Sequence, residues 1–192
     1  MTTVIGNKKR EQVLREAMHV ASREGLNGLS LGRLAETTGW SKSSLQSLFG
    51  TKEALQLAII DSAVRVWQKE VLEPASTEAD GLPRLRVLVA RWINYLETFE
   101  GGCLFISGAA ELDATTGPAR DAIANASKNG QDVLRREAKL AVRLGELPVD
   151  TDVEQLVFQL HALLLKANHD RQLFGTHEAL LTAHYLLARL LP

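Results

Sequence analysis

The sequence predicts an all-α protein, and three observations carry that prediction. No alternating run of β-branched or aromatic residues is present. Apolar residues recur instead at i, i+3 and i+4 over most of the chain. Gly and Pro fall at the ends of these periodic stretches, where helices stop and start. A length of 192 residues suits one or two domains with a sizeable core, and 45% hydrophobic with 23% charged residues is a globular composition.

Nine helices are predicted. The first runs from about Lys8 to Arg23, with Val13, Leu14, Ala17, Val20 and Ala21 on one face and Gly25 as its stop. Ser30 caps a short second helix ending near Thr37, and Ser41 caps a third that Phe49-Gly50 closes. Thr51 caps a long fourth helix whose face is Ala54, Leu55, Ala58, Ile59, Ala63, Val66 and Trp67. The polar, breaker-rich stretch Pro74 to Gly81 is predicted as a loop. Pro83 at a first helical position opens the fifth helix, which reaches about Phe99. Gly101-Gly102 separates it from a short apolar sixth, Cys103 to Asp113. Gly117-Pro118 opens the seventh, which ends near Gly145. Thr151 and Glu154, at capping-box spacing, open the eighth, which ends at Gly175. Thr176 caps the ninth, which carries Leu180, Leu181, Ala183, Leu186, Leu187, Leu190 and Leu191.

Several function classes are excluded. No apolar run approaches the ~18 residues of a membrane span, and Met1 to Arg10 lacks the pattern of a cleaved leader, so a soluble cytoplasmic protein without a membrane partner is expected. The single Cys103 allows no disulfide within the chain and no cysteine-rich zinc site. G-x-G-x-x-G, P-loop and G-x-S-x-G patterns are missing, and His177-Glu178 is not followed by the second His of H-E-x-x-H. Glu16 and His19 make one E-x-x-H, whereas a di-iron bundle needs two with two further Glu. His161, His169, His177 and His184 follow one another at spacings of eight, eight and seven, without a sharp i, i+4 ligand pair. No enzyme, no cofactor and no metal is expected.

The net charge of −1 divides unevenly: residues 1–53 carry eight Lys and Arg against five Glu, and the remainder 14 against 18 acidic residues. A mildly basic head on an acidic body suits a polyanion at one end. The stretch from Leu26 to Leu57 (LNGLSLGRLAETTGWSKSSLQSLFGTKEALQL) sharpens this. Two short helices flank Thr37-Thr38-Gly39-Trp40, with Gly39 where a tight turn needs positive φ. Leu31, Leu34, Ala35, Leu45, Leu48 and Phe49 can close a small core with the first helix. Lys42, Ser43, Gln46 and Ser47 are left on an open face about two turns long, which can enter a major groove. Ser41 at the N-cap presents backbone N–H groups that favour a phosphate. Lys42 and Lys52 can neutralise phosphates, with Thr51 beside Lys52 at the start of the fourth helix. Ser43, Ser44, Gln46 and Ser47 can reach base edges, and Gln46 can pair bidentately with adenine.

The segment SLGRLAETTGWSKSSLQSLFGTKEAL resembles the signature of the TetR family of transcriptional regulators. Ser30, Leu34, Ala35, Gly39, Ser41, Lys42, Leu45, Phe49, Lys52 and Leu55 match it in order and spacing. The family usually has a phosphate-touching Tyr where Gln46 stands and a small aliphatic residue in place of Trp40, which becomes either partial core or a DNA-backbone contact. The resemblance implies a helix-turn-helix DNA-binding domain at residues 1–50 and a helical effector-binding and dimerisation domain at 51–192. The set assigned to DNA is Ser30, Arg33, Trp40, Ser41, Lys42, Ser43, Ser44, Gln46, Ser47, Thr51 and Lys52. The function implied is a ligand-released repressor on a palindromic double-stranded operator; a helical binding or interaction module with a non-functional head is the alternative.

In such a fold the middle helices enclose the inducer. Trp67, Trp92, Tyr95, Phe99, Cys103, Phe105 and Phe158 then line a pocket, with Asn125 and His161 as polar anchors, although each is equally a plain core residue. The small-molecule effector is expected to be apolar or aromatic. The eighth and ninth helices are apolar on more than one side, too wide for one buried stripe. Leu156, Leu160, Leu164, Leu180, Leu187 and Leu191 are therefore expected to form a homodimer interface.

Overall fold

The computed structural model describes residues 4–191, so Met1–Thr3 of the stretch read for a leader lie outside it. Among the described residues the chain is helical, without strands. Its helices are α1 Val4–Glu24, α2 Leu31–Thr38, α3 Lys42–Phe49, α4 Lys52–Trp67, α5 Leu82–Tyr95, α6 Leu104–Leu112, α7 Pro118–Arg143, α8 Val153–Phe174 and α9 Glu178–Leu190. A π-helical turn, Gln68–Leu72, and a last α-turn, Glu73–Ala75, prolong α4.

α1 begins at Val4 ahead of the expected Lys8, α5 ends at Tyr95 ahead of Phe99, and His177, not Thr176, stands at the α9 N-cap; three further boundaries differ for identifiable reasons. Pro74 and Ala75 belong to the prolonged α4 and not to the loop. Glu73 N–H reaches back to Gln68 O in the π register, and Pro74 follows where its missing N–H costs little. Asp152, not Thr151, caps α8, its carboxylate accepting from Gln155 N at 3.0 Å. Leu82 precedes Pro83 in α5, because Gly81 at φ +94° makes the turn one residue earlier. Ser30, Ser41 and Thr51 do cap as expected, accepting from Arg33 N, Ser44 N and Ala54 N.

Two compact units form. One comprises residues up to Arg65 with Phe99–Ala124; the other comprises Val66–Thr98 with Asn125 onwards. The described head residues lie wholly in the first unit, which also takes in most of α4 and all of α6. Its core joins Val13, Leu14, Ala17, Val20 and Ala21 of α1 to Leu31 and Leu34 of α2 and Leu45 and Phe49 of α3, all buried. Each buried leucine contributes roughly 1.5–3 kcal/mol, so three short helices can hold a fixed shape.

The α1–α2 loop is tied on both sides. Glu111 of α6 accepts from Leu26 N and Asn27 N, each at 2.7 Å, and Gln56 of α4 donates to Leu26 O at 2.7 Å. In the second unit α5 packs against α9 and α8, burying Leu85, Leu88, Val89, Trp92 and Ile93. Buried Glu137 of α7 is compensated by Gly81 N at 3.0 Å and Arg136 Nε at 2.9 Å.

Among the described residues no helix is long and apolar enough to cross a membrane.

Candidate functional site

The recognition surface is built by α2, the turn after it, and α3. Gly39 closes α2 in the left-handed region at φ +75°, its N–H donating to Ala35 O at 3.0 Å. A Cβ at Gly39 would meet nothing within 4 Å, so the dihedral and not the space calls for glycine. Beyond it, α3 turns Leu45 and Phe49 into the core and leaves Lys42, Ser43, Gln46 and Ser47 exposed. Lys42 is exposed at the start of α3, where its ammonium can reach an anion.

Other residues assigned to DNA are engaged within the protein. Ser44 is half-buried, taking hydrogen bonds from Ser41 Oγ at 2.9 Å and Lys9 Nζ at 3.5 Å. Ser30 is half-buried as the α2 cap. Arg33 lies bidentate on Glu24, Nε at 2.7 Å and Nη2 at 2.9 Å, with Glu36 at 3.6 Å. That hydrogen-bonded pair holds Glu24 below the usual carboxylate range and Arg33 above its own. Gln46 donates to Gly50 O, and Lys52 donates to Asn27 O. Thr51 is exposed at the α4 N-terminus.

Trp40 is half-buried and takes a structural role: its indole N–H donates to Glu16 Oε2 at 2.7 Å. Lys9 Nζ sits 5.2 Å from the Trp40 ring centroid, and the Arg10 guanidinium lies 5.2 Å from that of Phe49. Lys9 and Arg10 of α1 thus flank the recognition helix, which sequence reasoning missed. The signal was the run Lys8-Lys9-Arg10, one turn before the apolar face of α1 begins.

The residues assigned to the effector fall in both units. Phe99, Cys103 and Phe105 are buried in the first, where Phe99 meets His19 edge-on at 5.4 Å. Trp67, Trp92 and Tyr95 are buried in the second. There Trp67 and Trp92 meet edge-to-face at 5.1 Å, and His161 lies against Trp92 at 6.2 Å. Two expected lining residues do not face an interior: Phe158 is 75% exposed and Asn125 is exposed. Both sit on outward sides of helices that are apolar or mixed all round, where periodicity gives no unique inward face.

Burial holds the His161 imidazole below the ordinary histidine pKa. The unfolded chain then binds the proton first as pH falls. The stability this provides is present above about pH 6.5 and lost as pH drops through that value toward the folded pKa. The melting temperature is therefore expected to fall more between about pH 7.5 and 5.5 in the parent than in His161→Gln. Equal falls in both would remove His161 as the cause.

Leu156, Leu160, Leu164, Leu180, Leu187 and Leu191, expected at a dimer interface, are all buried inside the second unit. The outward apolar stripe is a different one: Phe158 and Leu165 on α8, Leu181 and Tyr185 on α9. Between these helices an open groove of about 470 Å³ is lined by Leu163, Ala167, Phe174, Ala179, Ala183 and Leu186, among others.

A helix-turn-helix with an exposed polar recognition face, in an otherwise helical chain, defines a DNA-binding regulator. Residues 81–186 match the family model for the tetracyclin repressor-like C-terminal domain, and the chain belongs to the TetR family of transcriptional regulators. No curated protein sequence matches it. A TetR regulator from Chloroflexus aurantiacus superposes with a TM-score of 0.88 at 21% identity, over 97% of this chain and 96% of the other. One from Cytophaga hutchinsonii gives 0.80 at 22%, over 100% and 96%. AibR, solved with isovaleryl coenzyme A and operator DNA, gives 0.74 at 22%, over 95% and 98%.

Proposed function

We propose that this regulator is a ligand-released repressor that binds a palindromic operator in the cytoplasm as a homodimer. Residues 1–50 serve as the DNA-binding head and residues 51–192 as the effector-binding and dimerisation domain. The observation that carries the reading is the division of α3: Leu45 and Phe49 anchor it, while Lys42, Ser43, Gln46 and Ser47 are exposed to solvent. A helix held from behind and polar in front is what base edges and phosphates require. The AibR complex supports the pairing of a small-molecule site with an operator in this fold. The ligand must favour one separation of the two heads, since equal affinity for both states shifts nothing.

Selection of bound fragments from the parent genome tests the reading directly. A palindromic consensus with half-sites one turn apart, ~34 Å, is expected; failure to enrich any duplex would leave the alternative, a helical binding module with a silent head. Lys42→Ala is expected to weaken specific and non-specific duplexes alike and to lower the salt slope by about one. An unchanged slope in anisotropy titrations would take Lys42 out of the phosphate set.

A further inference from the structure

The chain has three tryptophans, Trp40, Trp67 and Trp92. The indole N–H of Trp40 is paired with Glu16. Those of Trp67 and Trp92 are buried without a hydrogen-bond partner among the described residues, on side chains of residues only 9% and 4% exposed. Buried donors are almost always satisfied, and leaving one unpaired is costly. Here two such donors sit on rings in direct contact, 5.1 Å apart. An N–H over a ring face is a second-order contact and does not replace an acceptor.

The pair is also positioned from several helices of the second unit. Trp67 lies on α4 and Trp92 on α5. His161 of α8 packs edge-on against Trp92 at 6.2 Å. Gly130 of α7 lets the backbone approach: a Cβ there would stand 2.5 Å from Trp92 Cη2. One turn along the chain from each ring, Val71 (four after Trp67) and Leu88, Val89 and Leu96 (four before, three before and four after Trp92) are wholly buried, so the helical neighbours of both rings are apolar. Resting on the reading that the regulator is ligand-controlled, we propose that Trp67 and Trp92 form the polar end of its effector site. The effector is an uncharged, mainly apolar molecule that offers carbonyl oxygen to the two indole N–H groups. His161, kept neutral by burial near pH 7, brings no charge that would favour a carboxylate over a ketone or lactone.

The test uses the full-length protein labelled with ¹⁵N and follows its three indole N–H resonances. The probes are 2-nonanone and γ-nonalactone, with n-nonane and nonanoate as counterparts. Both carbonyl compounds are expected to shift two indole resonances downfield and leave that of Trp40 in place. Trp67→Phe and Trp92→Phe keep a ring but remove one donor each. Each is expected to abolish one shifting resonance, to weaken 2-nonanone binding about two- to tenfold, and to melt no lower than the parent. Equal shifts with n-nonane would overturn the acceptor assignment, and equal or larger shifts with nonanoate the uncharged class. Resonances unmoved by every probe would overturn the site. Binding of a 30-base-pair duplex at low salt, followed by anisotropy, separates the two readings: silent indoles with intact duplex binding remove only this inference, whereas absent duplex binding removes the regulator reading.

Discussion

Gly101→Ala is expected to destabilise the first unit by about 3–5 kcal/mol, at the severe end for one added methyl. Gly101 lies against the last turn of α1. A Cβ placed on it would stand 1.9 Å from Ser22 O, 2.2 Å from Ser22 C and 2.7 Å from Arg23 N. These are backbone atoms of a hydrogen-bonded helix, so no side chain can swing aside to make room. The same approach lets Gly101 N donate to Ser22 Oγ at 3.2 Å and brings Glu100 within 2.6 Å of Arg23. An added methyl therefore forces the 99–102 segment off α1 and strips these contacts together. Against a total stability of 5–15 kcal/mol, that loss leaves the head partly unfolded at growth temperature. Gly32→Ala is the control. Gly32 lies in α2, its added Cβ would come no nearer than 3.8 Å to Ser30 Oγ, and helix propensity favours alanine by up to about 1 kcal/mol. Thermal and urea melts should move in opposite directions for the two variants; a Gly101→Ala protein that melts with the parent would mean the close approach is not present in solution.

That contact was invisible in the sequence, where Gly101-Gly102 reads only as a break between helices. The head was legible because its determinants are local. Ser30 and Ser41 cap, Gly39 takes positive φ, and the apolar positions of α1, α2 and α3 have a single consistent inward face. Departures there arise where a side chain finds a partner within the head, either nearby, as Gln46 does on Gly50 O, or on another element. Glu24 claims Arg33, Glu16 claims Trp40, and Lys9 with Ser41 claims Ser44. The body was less legible because α8 and α9 carry leucines on every side. Periodicity cannot rank faces that are all apolar, so the leucines expected at the interface are the inward stripe. Asn125, expected as an anchor within an apolar face, meets solvent instead. The two indoles without a partner among the described residues lie beyond sequence reasoning altogether, since whether a buried donor meets an acceptor is decided only when the helices pack.

Placing a charge on the outward stripe is expected to convert the proposed homodimer into a folded monomer and to cost operator affinity by two to four orders of magnitude. Phe158 and Leu165 are seven residues apart on α8, and Leu181 and Tyr185 are four apart on α9, so each pair lines one side of its helix. Phe158 at 75% exposed and Leu181 at 69% contribute little to the protomer's own core. Large apolar side chains gathered in this way are uncommon on a soluble monomer, and a two-fold axis would bury them against their own copies. Phe158→Glu with Leu181→Glu should therefore leave helicity and melting temperature of the isolated protomer nearly unchanged while preventing self-association. Each half-site is then bound alone, and the gain from tethering two heads, on the order of 10²–10⁴, is lost although α3 is untouched. Leu187→Glu provides the contrast. Leu187 is 6% exposed, so a carboxylate there would be buried unpaired and should unfold the protomer. Light scattering at micromolar concentration, circular dichroism and operator titration together distinguish the two results. A double variant that stays dimeric would move the interface to another face, and a parent that is monomeric would remove the two-headed mechanism.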